Sequence, residues 1–258
     1  MNPVVIGLIT FGCSYGAAVV GLTLHSKVPE RHLDGDSKDV MKLVLGLIAT
    51  LSALVLGLLI ASAQNLYSTQ SGNVQKLAGN VAVLDHVLEL YGPGANDTRE
   101  LLRQAVAAVH DQIWTANRVQ AANLDPRSTR YEADRFAKAL QGLAPKSDAQ
   151  RFLQAQALQL SGTIGETRSL MFGQASSSVP WPFLVVVIFW VTALFLGFGL
   201  FARFHATVAV ALLVGSLSVA AAIFLILELS KPYAGLIQLS DEPLRDVLAQ
   251  IGQTPASP

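Results

Sequence analysis

Four stretches of roughly 20 mostly apolar residues run through this chain with no charged side chain near their centres. They extend from about Pro3 to Leu24, Lys42 to Ala63, Phe183 to Ala202 and Ala206 to Leu229. Runs this long leave few options. In hydrocarbon every backbone N–H and C=O must be paired within the protein, and an α-helix pairs them locally. The expected fold class is therefore all-α: a polytopic membrane protein with four transmembrane helices in two hairpins.

The flanks of the runs agree. Span three opens on Pro180-Trp181-Pro182, where proline suits a first helical turn and tryptophan suits the headgroup level. Spans three and four are joined only by Arg203, Phe204 and His205, a link that fits an antiparallel hairpin with Arg203 reaching the interface. A polar loop from His25 to Asp39 joins spans one and two. The first run has no basic residues before it, so it reads as a retained span rather than a signal peptide.

The central third is polar but periodic. Val74, Leu77, Val81, Leu84, Leu88 and Tyr91 alternate spacings of three and four, a heptad seam. No proline or glycine-rich break separates it from span two, so one helix is expected to continue to Gly92-Pro93-Gly94. A second helix should begin near Asp97, with Asp97 and Glu100 forming a capping box and Leu102, Val106, Val109 and Ile113 its buried stripe. Asp125-Pro126 breaks the chain before a helix over Ser128 to Gln141. Pro145 precedes another, over Ser147 to Gln174, with Leu153, Ala157, Leu160, Ile164 and Met171 as its seam. The domain plan is thus a first hairpin (1–63), an antiparallel helical bundle inserted between spans two and three (64–179), a second hairpin (180–229), and a C-terminal segment with a disordered tail (230–258).

Composition narrows the function. Charged residues make up 14% of the chain and mean hydropathy is +0.45, against roughly 25% charged residues in soluble domains. Lys plus Arg equals Asp plus Glu, at 18 each, so no nucleic-acid partner is expected. The single cysteine, Cys13, allows no internal disulfide. The five histidines share no metal-ligand spacing, and no phosphate-binding loop, nucleophile elbow or dinucleotide fingerprint appears. The reading is of a protein that is not an enzyme and needs neither cofactor nor metal.

Two groups of residues are candidate sites. Span two carries small side chains on one face: Gly46, Thr50, Ala53, Gly57 and Ala61. They either line a pore or let another helix approach closely. Gly12 and Gly16 in span one, and Ala211, Gly215 and Ser218 in span four, are further small-residue faces. Three such faces on four spans suggest surfaces left for neighbouring copies, hence a homo-oligomer in the lipid bilayer with span two nearest the axis. The second group follows span four. Glu228 could bind a cation, pair with Lys231, or simply reach headgroup water at a helix end.

Three stretches resemble the bacterial bestrophin-like domain family: LGLIATLSALVLGLLIASAQNLY (45–67), VAVLDHVLELYGPGANDTRELLR (81–103) and LELSKPYAGLIQLSDEPLR (227–245). The resemblance implies a multi-pass protein of the bacterial inner membrane. Bestrophins are oligomeric anion channels with a helical domain between spans two and three, so it also implies an ion channel with inorganic ions as partners. Pro232-Tyr233-Ala234-Gly235 is similar to the Pro-Phe-Gly after their last span. Two features depart from animal bestrophins. Only Asp241-Glu242 stand where an acidic calcium-binding run would be, and span two contains no aromatic residue to form a constriction. The alternative is a non-conducting scaffold or sensor whose bundle mediates protein interactions. On orientation, Lys27, Arg31, Lys38, Lys42 and Arg203 lie on one face against Lys231 and Arg245 on the other. The charge rule therefore favours a non-cytoplasmic bundle, which is the expected orientation, although the resemblance implies the reverse.

Overall fold

The computed structural model describes residues 2–25, 35–115, 130–175, 181–202, 205–233 and 235–251. The Asp125-Pro126 break, the Arg203-Phe204 link, Ala234 of the post-span motif and the tail from Gly252 lie outside them. Eight α-helices cover most of the described residues: α1 (Pro3–His25), α2 (Gly35–Tyr91), α3 (Asn96–His110), α4 (Arg130–Gln141), α5 (Asp148–Ala175), α6 (Trp181–Phe201), α7 (Ala206–Leu229) and α8 (Glu242–Gln250). The chain divides into two compact units, residues 1–66 with 179–230, and residues 67–178 with 231–258, and α2 contributes to both.

The first unit carries the apolar runs, and among the described residues four helices are long and apolar enough to cross a membrane. Asn2 caps α1 by accepting the Val4 N–H on its side-chain oxygen at 3.0 Å. Ile6, Thr10, Ser14, Ala18 and Leu22, four residues apart, form the buried ridge of α1. That helix packs along α6 and α7. The Thr10 and Ser216 hydroxyls donate to the carbonyls of Ile6 and Leu213, each at 2.9 Å, so both are satisfied within their own helices. Backbones of α1 and α6 approach closely. A Cβ placed on Gly21 would lie 2.4 Å from the Leu196 carbonyl oxygen, and one on Gly199 would lie 2.2 Å from that of Ala18. Small residues at this crossing let the backbones meet, which is how helices gain contact area where lipid offers no hydrophobic drive.

The second unit is built on the heptad seam of α2, whose six residues are all buried. Gly92, at φ +101°, turns the chain out of α2 in a conformation that favours glycine, and Pro93–Ala95 forms a 3-10 turn leading into α3. The capping box expected at Asp97 and Glu100 is absent. Ala95 occupies the cap position, and the Glu100 carboxylate is bound instead by Arg103 and Gln104 at 2.7–3.0 Å. Those bonds hold its pKa down at about 2, so the group that would cap the helix is committed to its own turn. Ser147 caps α5 in the expected place, accepting the Gln150 N–H at 3.2 Å. Gln150 also donates to the Tyr91 carbonyl at the end of α2 (3.0 Å), tying the two helices.

The C-terminal segment differs from the expected plan. Its described part is not a separate appendage. Tyr233, Leu239, Leu244, Val247 and Ile251 enter the bundle core beside Leu102, Val106 and Phe136. Helix α8, which the sequence reading did not draw, turns Leu244 and Val247 inward.

Candidate functional site: the outer face of helix α2

On α2 the buried positions within the first unit are Ser52, Leu59 and Ala63. At ~100° per residue these share one face of the helix. Gly46, Thr50, Ala53, Gly57 and Ala61 are all exposed and lie roughly 140° around from it. A third face carries Leu43, Leu47, Leu54 and Leu58, each at least 61% exposed. The helix therefore presents one face to its own chain, one of small residues, and one of leucines suited to lipid or a neighbour. A Cβ built on Gly46 or Gly57 meets nothing within 4 Å, so among the described residues these glycines make no close approach. Gly12 and Gly16 are equally open. Close packing within the chain is found instead at Gly21 and Gly199, at Gly197 against Leu45 and at Gly215 against Phe195, and none of the described residues covers the stripe on α2.

The post-span residues divide between the units. Glu228 is buried at 2% exposure near the end of α7, so its carboxylate does not reach out to headgroup water from the chain's surface. Pro232, Tyr233 and Gly235 are buried in the second unit. They form a turn in which Gly235 N–H donates to the Lys231 carbonyl at 3.2 Å and Leu239 N–H to that of Pro232 at 3.0 Å. The Tyr233 hydroxyl donates to the Gln70 side-chain oxygen at 2.5 Å, and burial pushes its pKa upward. Downstream, Trp114 Nε1 donates to the Leu239 carbonyl at 2.8 Å, and His110 Nε2 lies 3.4 Å from Asp241. The motif after the last span is a structural clasp that folds the C-terminal segment into the bundle. Asp241 faces His110 there, and its neighbour Glu242 opens α8.

The family described as Bestrophin-like domain matches residues 12–244. This chain belongs to that family. It is a multi-pass, all-helical membrane protein of the bestrophin-like kind. Solved structures of a bacterial bestrophin homologue from Klebsiella pneumoniae share its fold. One matches with a TM-score of 0.66 and 13% identity, covering 96% of this chain and 99% of that one. A single-substitution variant matches with a TM-score of 0.69 and 11% identity, over 95% and 97%. Another gives 0.66 and 14%, over 95% of each chain. No curated protein sequence matches.

Proposed function

We propose that this bestrophin-like protein is a homo-oligomeric ion channel of the bacterial inner membrane. In this reading the Gly46–Ala61 face of α2 is nearest the symmetry axis. The observation that carries it is the uncovered small-residue face opposite the buried one. Four spans of one chain, packed ~8–10 Å apart, leave little interior for a water path, whereas a ring of copies can enclose one. Small side chains on the axis leave width for a hydrated ion, and the hydroxyl of Thr50 adds a polar group there. Its hydrogen is directed to the Gly46 carbonyl at 2.9 Å, leaving the oxygen's lone pairs outward. Family membership supports placing the bundle in the cytoplasm, against the count of basic loop residues.

Light scattering on the solubilised protein, corrected for detergent, together with ion flux in liposomes, tests this reading. A multiple of 27.4 kDa with flux above empty vesicles is expected. A single-chain mass in several mild detergents would remove the axis and the channel with it. An oligomer without flux would favour the scaffold.

A further inference from the structure

The loop that follows span four keeps two large apolar side chains outside the core. Leu236 is 65% exposed and Ile237 39%, while Tyr233 and Leu239 on either side are buried. The feet of the loop are fixed. Leu239 N–H donates to the Pro232 carbonyl at 3.0 Å, Trp114 Nε1 to the Leu239 carbonyl at 2.8 Å, and the Tyr233 hydroxyl to Gln70. Turning the tip inward would break that closure. A lone exposed apolar side chain needs no explanation. This pair differs in standing on a closed loop tied to membrane spans. The loop begins directly after Ser230, which caps the C-terminal end of α7. Its Tyr233 foot is bonded to Gln70, seven residues beyond Ala63, where the apolar run of α2 ends. At ~1.5 Å per residue that is ~10 Å along the helix. The headgroup layer is ~5–8 Å deep on each side of the hydrocarbon. Leu236 is three residues from either foot, a reach of up to ~10 Å, so the tip can meet the acyl boundary.

We propose that Leu236 and Ile237 dock into the lipid surface, at the boundary between headgroups and acyl chains on the side where α7 ends. The patch continues the lipid contact that span four begins, a few residues further along the chain. Insertion takes both side chains out of water and leaves the hydrogen bonds at the feet of the loop intact. The bilayer thereby holds the same C-terminal segment that sends Leu244 and Val247 into the bundle core. Lipid contact here is independent of ion conduction.

Phe152 supplies a matched control. It is 69% exposed and lies two residues from Gln150, which donates to the Tyr91 carbonyl at the far end of α2. Tyr91 is ~40 Å along that helix from Ala63. The test uses the full-length protein in nanodiscs. In a Cys13→Ser background, Leu236→Cys, Ile237→Cys and Phe152→Cys are each labelled with bimane, and each is checked for the native gel-filtration peak. The two tip positions test the loop independently of one another. Emission is recorded with lipids that carry a nitroxide high on the acyl chain, and separately with iodide in the water. At 236 and 237 the expected result is loss of emission to the nitroxide lipid and resistance to iodide. At 152 the reverse is expected. Three results would overturn the assignment. Iodide quenching at 236 and 237 equal to that at 152 would leave the loop in water. Protection from both quenchers would make the loop a contact between copies. Nitroxide quenching at 152 as strong as at the tip would remove any special contact of the loop with lipid.

Discussion

Replacing Gly199 by alanine adds one methyl group where the backbones of α1 and α6 cross. Its Cβ would lie 2.2 Å from the Ala18 carbonyl oxygen and 2.9 Å from the Leu22 nitrogen. Both are backbone atoms, so no side chain can rotate away. Helix α1 or α6 would have to retreat by about 0.8 Å to restore a 3.0 Å contact. That retreat loosens the dispersion contacts along the whole crossing, since a gap of that size forfeits a quarter to a half of each. Overpacking of this kind costs roughly 1–3 kcal/mol. Gly199→Ala is therefore expected to lower the midpoint of thermal unfolding in detergent by several degrees, read by retention of the native gel-filtration peak after heating. Gly12→Ala, at an open position of α1, is the matched control and should be neutral or slightly stabilising. Equal midpoints for Gly199→Ala and the unsubstituted protein would refute the close crossing of α1 and α6.

Other consequences are specific. Arg99 and Asp85 form a two-point ion pair at 2.8 Å with side chains only 11% and 12% exposed, so Arg99→Met should destabilise the bundle by ~3–5 kcal/mol in urea titrations, and the double replacement with Asp85→Leu by less. Tyr233→Phe leaves buried Gln70 without its hydroxyl donor and should cost ~1–3 kcal/mol by the same measurement. Because the folded Tyr233 has a raised pKa, its contribution is complete below the ordinary value of 10.0 and declines as pH rises above it. A tyrosinate absorbance titration should show one tyrosine that resists ionisation at pH 11 until the protein unfolds. In a Cys13→Ser background, Asp39→Cys should be labelled by an impermeant thiol reagent in intact cells and Asp97→Cys protected, and the opposite pattern would restore the arrangement the loop charges favour.

What the sequence disclosed follows from the length scale of each signal. The four spans and the Val74–Tyr91 seam are repeated over many residues, and hydropathy or a three-four spacing reveals them directly. The α1–α6 crossing was not legible in the same way. Gly12 and Gly16 form the more familiar spacing, yet Gly21 and Gly199 are the ones in contact, and only their pairing across two distant helices distinguishes them. The one available hint was Gly197-Phe198-Gly199 within an otherwise bulky span. Likewise, Asp97 and Glu100 have capping-box spacing, but Arg103 and Gln104 compete for the carboxylate and the Pro93 turn sets the entry to α3. Helix α8 has nine residues, too short for periodicity to separate it from a loop, and it gains its place through Leu244 and Val247 in the bundle core. For the stripe on α2, small residues look alike whether they pack or line a path. Exposure removes intrachain packing from the choice.

The central claim concerns which face of α2 meets the conducting axis. With Cys13 replaced by serine, Ala53→Cys and Leu58→Cys place thiols on the small-residue face and the leucine face, about 140° apart around the helix. Ion flux in proteoliposomes, recorded before and after a charged thiol reagent, reads the difference. The account predicts flux that is strongly altered by modification at position 53 and little changed at position 58. Flux no greater than in empty vesicles, or an effect at 58 with none at 53, would contradict it.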